Sequence, residues 1–358
     1  MNVVRRGQIA GLAAAVLFGC SAPLISTLTG AGSALSIAAL LYAGAALALL
    51  ALRALKGRSQ TEAPVQRQDW PALAGLTLLG GVVGPVALVL GLARMPAASS
   101  SLLLNLESVF TLAIAVAVGR EHLGRRGAAS AALTLAGAMV LSGGSLSGAS
   151  WLGTALIALA TLAWGIDNNL SQHLSLRDPI QIATLKAAGA SLPMLGLAVL
   201  LGHRFPSLPL SLGLLAIGAL GYGISIWLDL LALRDLGAAR EAVMFSTAPF
   251  VGALFSLLVL GDKLTPSLGL AAALMASGVA LLLREQHSHW HHHEPLRHAH
   301  RHRHDPHHPD PHHDHAHSAE DLGDGVADGP FWHAHDHRHD ETAHAHPHVS
   351  DVHHRHQH

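Results

Sequence analysis

Long apolar runs separated by short polar segments dominate the chain from residue 8 to residue 283. The runs are roughly 17 to 24 residues long, and about 20 apolar residues span the ~30 Å hydrocarbon core of a bilayer as a helix. Because lipid offers the backbone no hydrogen-bond partners, such runs cross it only as helices. The pattern predicts ten transmembrane helices, at residues 8–28, 33–55, 70–92, 97–119, 127–143, 151–173, 179–201, 211–233, 238–260 and 266–283.

The composition supports a membrane protein. Hydrophobic residues make up 50% of the 358 residues and charged residues only 13%, about half the charged share of an average soluble protein. The single cysteine, Cys20, excludes an internal disulfide. No nucleophile–base arrangement, phosphate-binding loop or metal-hydrolase motif is present, so we expect neither an enzyme nor a nucleic-acid partner, and no required cofactor.

Basic residues in the loops predict the orientation, because cytoplasmic loops are enriched in Lys and Arg. With a cytoplasmic N-terminus, thirteen Lys or Arg residues lie inside and three lie outside. Ten crossings then place both termini in the cytoplasm. We therefore expect a multi-pass protein of the cell membrane, in bacteria the inner membrane.

An internal repeat divides the membrane part into two halves. Residues 121–141 align with residues 262–282 at an offset of 141, and Phe18-Gly19 parallels Trp164-Gly165. Five helices per half force the halves into opposite orientations, which makes the repeat inverted. The predicted fold is an all-α membrane protein with a 5+5 inverted repeat and a disordered His-rich tail, divided into residues 1–146, 147–286 and 287–358.

The ten helices and their motifs resemble the EamA group of the drug/metabolite transporter superfamily. Phe18-Gly19 and Trp164-Gly165 are similar to motifs in the first helix of each half. The segments 119–123 and 261–264 resemble the family's short acidic turn between the last two helices of each half. The resemblance implies a secondary transporter of small organic molecules, often an exporter. Alternating access would take the substrate through a site near the midplane between the halves.

Glu107 is the candidate coupling residue, because it lies near the middle of the fourth predicted helix. Ionisable groups at that depth are costly and usually face a cavity or a partner. A proton-coupling carboxylate is one interpretation of Glu107. The other is a permanently protonated carboxyl that is hydrogen-bonded to Ser108 or Asn105.

Asp167 and Lys186 are predicted to form an ion pair. Both lie six or seven residues from the cytoplasmic ends of consecutive helices, at a depth of about 9–10 Å. The family often has a basic residue where Lys186 lies, whereas the first half has Tyr42 there. The pair could be structural, a gate, or a clamp for the carboxylate and amine of a zwitterionic substrate. Snorkelling of Lys186 to the interface is the remaining alternative.

Other polar and aromatic residues complete the candidate substrate site: Asn105, Asn168, Asn169, Trp164 and Trp227. Asp229 lies near a helix end, where we expect it to reach the interface or to pair with Arg234. Glu241 is expected to interact with the N-terminal dipole of the ninth helix.

The last 72 residues differ from the rest, since residues 287–358 contain 26 of the 29 histidines. Few aliphatic residues and no clear periodicity predict disorder. Neutral imidazole is a common ligand for Zn, Ni, Co and Cu. The predicted ligands are those of the His-x-His runs: His298, His300, His302, His304, His315, His317, His333, His335, His337, His339, His344, His346 and His348.

Two functions remain open at this stage. The first is an exporter of small organic metabolites with a metal-chelating tail. The second is a divalent transition-metal exporter of Ni, Co or Zn, with the tail collecting ions at the cytoplasmic mouth. The expected partners are the lipid bilayer, a small-molecule substrate and transition-metal ions, and a homodimer is left open.

Overall fold

The computed structural model describes residues 3–56, 63–118, 124–143, 151–171, 174, 177–236, 238–283, 287–293, 296–304, 331–339 and 342–348. Up to residue 283 the regular secondary structure of the described chain consists of helices joined by turns and loops, apart from an isolated bridge between Ala63 and Arg177. Each helical stretch falls within or close to one of the ten predicted ranges.

The described residues of the first half contain seven α-helices. The first four are α1 (Val3–Ser26), α2 (Ala34–Lys56), α3 (Trp70–Leu76) and α4 (Gly84–Leu92), followed by α5 (Ala97–Leu103), α6 (Leu106–Ala117) and α7 (Arg125–Gly143). A π-helical segment, Thr77–Val83, joins α3 to α4, and the 3-10 turn Arg67–Asp69 precedes α3.

The second half of the described chain repeats this sequence of elements. Its helices are α8 (Trp151–Ser171), α9 (Pro179–Leu200), α10 (Leu208–Gly218), α11 (Ser225–Leu236), α12 (Ala238–Phe245), α13 (Ala248–Phe255) and α14 (Pro266–Leu282). A π-helical segment, Ala219–Ile224, joins α10 to α11, as in the first half. A further π-helical segment, Ser256–Leu260, follows α13.

Seven helical stretches in the described residues are long and apolar enough to cross a membrane. They are Arg5–Ser26, Ala34–Leu55, Arg67–Leu92, Ala97–Ala117, Pro179–Leu200, Leu208–Leu233 and Arg240–Leu260, and Pro266–Leu282 is a shorter apolar helix. Helices α7 and α8 are not among them. Two arginines begin α7, and Asp167, Asn168 and Asn169 lower the hydropathy of α8. The count of ten crossings therefore stays a prediction.

Helix contacts between the two halves occur in equivalent pairs: where a helix of the first half packs against one of the second, the corresponding helices with the halves interchanged also pack together. Helix α1 packs against α11, and its counterpart α8 packs against α4. Likewise α1 contacts α13 while α8 contacts α6, and α2 packs against α9 as α7 packs against α14. Small residues allow these close approaches. For example, Gly44 faces the backbone of Leu215, and Gly218 faces the backbone of Leu41.

Four described segments of the His-rich tail form strands, while the disorder of the tail as a whole stays a prediction. β1 (His287–His293) pairs antiparallel with β4 (Thr342–His348), and β2 (Leu296–His304) pairs antiparallel with β3 (Phe331–His339). The His-x-His pattern explains why these segments form strands, because side chains that alternate with a period of two match the two faces of a strand. His291 lies opposite His344, and His300 lies opposite His335.

Candidate substrate site

Asp167 and Lys186 form the predicted ion pair. Lys186 Nζ donates to Asp167 Oδ2 across the contact between α8 and α9. Helix α9 begins at Pro179, and the Asp178 carboxylate caps it by accepting from the amides of Ile180 (2.9 Å) and Gln181 (3.0 Å). This start places Lys186 seven residues into the helix, about 10 Å along it.

The Asp167 carboxyl packs directly against the Gly80 backbone. A Cβ atom at residue 80 would overlap the carboxyl, with Asp167 Oδ1 only 2.8 Å away. Asp167 is 5% exposed. Its second oxygen, Oδ1, is buried and has no hydrogen-bond partner.

The carbonyl oxygen of Gly80 binds two side chains because the π-helical segment leaves it without a backbone donor. The Gly84 amide bonds to Leu79 instead, and residue 85 is a proline, which has no N–H. Tyr42 Oη donates to the Gly80 oxygen over 2.7 Å, and Trp164 Nε1 donates over 3.0 Å. Both aromatic side chains are thereby fixed beside Asp167.

A cavity of about 360 Å³ lies beside this ion pair; we call it the Asp167 cavity. The Tyr42 and Tyr222 rings are stacked with centroids 5.9 Å apart, and the Phe18 ring meets Tyr222 edge-on at 5.9 Å. The cavity is lined by Tyr42, Ala45, Leu76, Asp167, Asn168, Ser171, Leu174, Pro179, Ile182, Ala183, Lys186, Ala187, Tyr222, Ile226, Asp229 and Leu230.

Glu107 lies in a hydrogen-bond network between α6 and α8. Its Oε1 accepts from Asn168 Nδ2 at 2.8 Å, and the same nitrogen lies 3.3 Å from Thr111 Oγ1. Asn169 Nδ2 donates to the backbone oxygens of Thr111 (3.1 Å) and Gly165 (2.8 Å). The Glu107 carboxyl therefore accepts its hydrogen bond from Asn168, whereas the alternative interpretation named Ser108 or Asn105 as its partner.

The fourth predicted helix is interrupted next to Glu107. A turn at residues 104–105 separates α5 from α6. Asn105 Nδ2 donates to the Leu102 oxygen at 2.9 Å, and Ser108 Oγ donates to the Asn105 oxygen at 2.8 Å. Such local side-chain bonds compete with the regular helix ladder, which explains the break.

A second cavity of about 460 Å³, the Glu107 cavity, opens beside this network. It is more apolar than the first. Its lining consists of Phe18, Leu104, Asn105, Glu107, Ser108, Thr111, Leu112, Ala115, Asn168, Glu241, Ala242, Phe245, Ser246, Ala248, Pro249, Val279, Leu282 and Leu283. Asn168 lines both cavities and joins them.

Asp229 and Glu241 form a second connection that the sequence analysis missed. Asp229 lines the Asp167 cavity, Glu241 lines the Glu107 cavity, and their carboxyl groups are close enough to share one proton. The expected pairing of Asp229 with Arg234 lies outside the described side chains, and the contact between Asp229 and Glu241 was not predicted. Helices α11 and α12 are adjacent in the chain and pack together. In the sequence, the one feature that indicated this contact is the presence of two acids twelve residues apart.

The structure brings most, but not all, of the predicted site residues to the cavities. Asn105, Glu107, Asp167, Asn168 and Lys186 line one or both. Asn169, Trp164 and Trp227 do not line either cavity. Trp164 acts through its bond to Gly80, and Asn169 through its bond to Thr111.

The structure does not describe the side chains of the predicted metal ligands in the tail. For some of them, such as His315 and His317, the whole residue lies outside the described part of the chain. Within the described residues, no group of three or more His, Cys, Asp or Glu side chains could hold a metal ion.

The family model of the EamA-like transporter family matches residues 5–143 and 151–284. The chain belongs to this family. The two matches cover the two halves that the sequence repeat and the repeated order of helices define. This EamA-like chain is therefore a multi-pass membrane protein of a transporter family.

Relatives of this EamA-like protein share up to about a third of their aligned residues with it. An uncharacterised transporter of Methanothermobacter thermautotrophicus is 28% identical over 77% of this chain and 85% of its own length. An uncharacterised protein of Pseudomonas aeruginosa is 31% identical over 74% of this chain and 88% of its own. A "probable amino-acid metabolite efflux pump" of Salmonella typhimurium is 30% identical over 52% of this chain and 67% of its own.

A solved crystal structure shares the fold. It superposes on this EamA-like chain with a TM-score of 0.57 at 18% sequence identity, and covers 78% of this chain and 98% of its own. At this identity the likeness is one of fold alone.

Proposed function

We propose that the chain is a secondary transporter that exports small organic metabolites, amino acids foremost, by alternating access. Two cavities between helices of both halves, which share Asn168 and contain buried acids in a mostly apolar lining, are the observation that carries this proposal. Cavities of 300–1,000 Å³ are typical of small-molecule sites, and both fall in this range. The similarity to an amino-acid metabolite efflux pump supports amino acids as the class.

Ten helices in a 5+5 inverted repeat are the architecture that we propose for this transport. The repeated order of α1–α7 and α8–α14 supports it, as do the equivalent helix contacts between the two halves. Inverted repeats allow the halves to rock around a fixed midplane site. Glu107 has the role of coupling carboxylate in this scheme, because it shares a hydrogen bond with Asn168, the residue common to both cavities.

Counterflow in vesicles tests the transport proposal. The full-length protein is reconstituted, loaded with one unlabelled amino acid, and supplied with a trace of the same labelled amino acid outside, for each of the twenty. We expect transient accumulation of some amino acids, a strong loss in Lys186→Met, and retention in the matched control Lys263→Met, because Lys263 is exposed and lines neither cavity. Uptake of labelled nickel or zinc with no amino-acid counterflow would favour the metal exporter instead.

We further propose that the cytoplasmic tail chelates transition-metal ions as a buffer or sensor. The cross-strand register supports this role, since it places histidines of β1 opposite those of β4 and histidines of β2 opposite those of β3. Calorimetric titration of the full chain with Zn and Ni should show tight binding that is lost on truncation after residue 286. Amino-acid counterflow that persists in the truncated chain would separate the tail from transport.

A further inference from the structure

Two acids that line the Asp167 cavity each have a buried oxygen without a hydrogen-bond partner among the described residues: Asp167 Oδ1 and Asp229 Oδ1. Buried polar atoms in proteins are nearly always paired, since burial removes the hydrogen bonds that water would supply. Two unpaired acceptors in one cavity therefore indicate that a ligand supplies the missing donors.

Three donors in the lining of the cavity, on Lys186, Tyr42 and Asn168, are already engaged. Lys186 donates to the other oxygen of Asp167, and the Tyr42 hydroxyl donates to Gly80. Asn168 donates to Glu107 across the neighbouring cavity. The neighbour of Asp229 is Glu241, a second acid, and the two carboxyl groups share at most one proton. The cavity thus has an excess of acceptors and a negative charge, and it favours a cation that carries several N–H donors.

The rest of the lining indicates an organic cation rather than a metal ion. A primary ammonium carries three donors, and the stacked rings of Tyr42 and Tyr222 offer faces of the kind that bind cations. Apolar side chains such as Leu76, Ile182 and Ile226 line the remainder, where an alkyl group can pack. The volume of about 360 Å³ suits a small molecule.

We propose that the Asp167 cavity binds the primary ammonium group of the transported metabolite, with Asp167 Oδ1 and Asp229 Oδ1 as its acceptors. This proposal rests on the proposed transport function and deepens it. Because Lys186 stays with Asp167, the described lining residues include no further cation that could receive a substrate carboxylate. The amine is therefore the recognised group and the carboxylate is dispensable, in contrast to a two-ended clamp.

A thermal-stability series on the detergent-solubilised full chain tests this assignment, since a ligand that binds the folded state raises the melting temperature. The probes are L-leucine, L-leucinamide, 3-methylbutylamine, N-acetyl-L-leucine and sodium chloride. We expect stabilisation by the amide and by the amine, which carry the ammonium, and none by N-acetyl-L-leucine, which lacks it.

Variants locate the site. Asp229→Asn should weaken amine binding about tenfold or more, because it removes a charged acceptor. Asp235→Asn is the matched control on the same helix, since Asp235 pairs with Arg6 and lines neither cavity. It should bind the amines as the wild type does.

Each remaining outcome overturns the ammonium site. These are the absence of stabilisation by either amine, equal stabilisation by N-acetyl-L-leucine, stabilisation by sodium alone that matches the amines, or undiminished amine binding in a folded Asp229→Asn protein. If the Asp229→Asn protein does not fold, the melting temperatures of the wild-type protein with the amines and with N-acetyl-L-leucine test the ammonium site on their own. Amino-acid counterflow in vesicles distinguishes the two failures, because it persists where only the ammonium site is wrong and is absent where the transport function is wrong.

Discussion

At the residue scale, Gly80 determines where the Asp167 carboxyl lies. Its missing side chain leaves room for that carboxyl, and its carbonyl oxygen positions Tyr42 and Trp164. The repeat contains the same arrangement once more, since a Cβ at Gly221 would lie 2.7 Å from the Cβ of Ser21. Only one half of the repeat therefore places a charge at this contact.

A methyl group at residue 80 should disrupt the site without unfolding the protein. In Gly80→Ala the new Cβ overlaps the Asp167 carboxyl, so the carboxyl must move and its bond to Lys186 is strained. We expect at least a tenfold loss of amino-acid counterflow. Gly196→Ala is the control, because nothing lies within 4 Å of a Cβ there; it should transport normally and gain up to about 1 kcal/mol of stability. Normal counterflow in Gly80→Ala would contradict this account of the glycine.

A charge swap measures how far the ion pair depends on its two charges alone. Asp167→Asn or Lys186→Met leaves one buried charge unpaired, which typically costs about 3–5 kcal/mol. The double variant Asp167→Lys, Lys186→Asp keeps the pair and should melt closer to the wild type than either single variant does. Melting temperatures in detergent give the comparison. A double variant that melts no higher than the singles would show that the geometry around Gly80 fixes the direction of the pair.

At the scale of elements, the π-helical segments are features that the two halves share. Thr77–Val83 precedes Gly84 and Pro85, while Ala219–Ile224 precedes Ser225. In the second half the carbonyl of Gly221, equivalent to Gly80, accepts from the Ser225 hydroxyl. Each half thus provides its π-helical carbonyl with a side-chain donor, and π-helical turns often mark functional sites.

Restoring the backbone donor should stabilise the helix at the expense of transport. Pro85→Ala provides an N–H that can bond to the Gly80 oxygen and compete with Tyr42 and Trp164. We expect stability to rise by roughly 1 kcal/mol, part of the ~3 kcal/mol that a proline costs inside a helix, and counterflow to fall. Thermal melting and counterflow are measured on the same preparation. Raised stability with unchanged transport would show that the two side-chain bonds are not needed.

The sequence predicts the helices far better than it predicts the site. Apolar runs and capping residues such as Asp178 and Thr265 act locally, so the helix positions follow from nearby residues. The contact between Asp229 and Glu241 depends instead on how α11 and α12 pack, which no local pattern encodes. The ion pair of Asp167 and Lys186 was predictable because equal depth on consecutive helices is itself a sequence property.

At the scale of the whole molecule, contacts between loops join segments that the charge pattern predicts on the same side of the membrane. The Arg204 oxygen accepts from the Ser33 amide at 2.9 Å, and both loops are predicted to be outside. Arg177 pairs with Asp69 at 2.7 Å, and both are predicted to be inside. Arg6 and Asp235, also predicted inside, are 2.7 Å apart. These contacts agree with alternate crossings, and the cytoplasmic position of both termini stays a prediction.

Reporter fusions test the inverted repeat most directly at equivalent loops. Arg58 follows the second predicted helix of the first half, and Arg204 follows the second predicted helix of the other half, 146 residues later. An odd number of crossings per half must place these two loops on opposite sides. A fluorescent protein that folds only in the cytoplasm should therefore glow when fused after Arg58 and after residue 358. Alkaline phosphatase, which is active only outside, should be active after Arg204. Equivalent loops on the same side would mean a parallel repeat and would contradict the inverted one. The equivalent helix contacts between the two halves would then need another explanation.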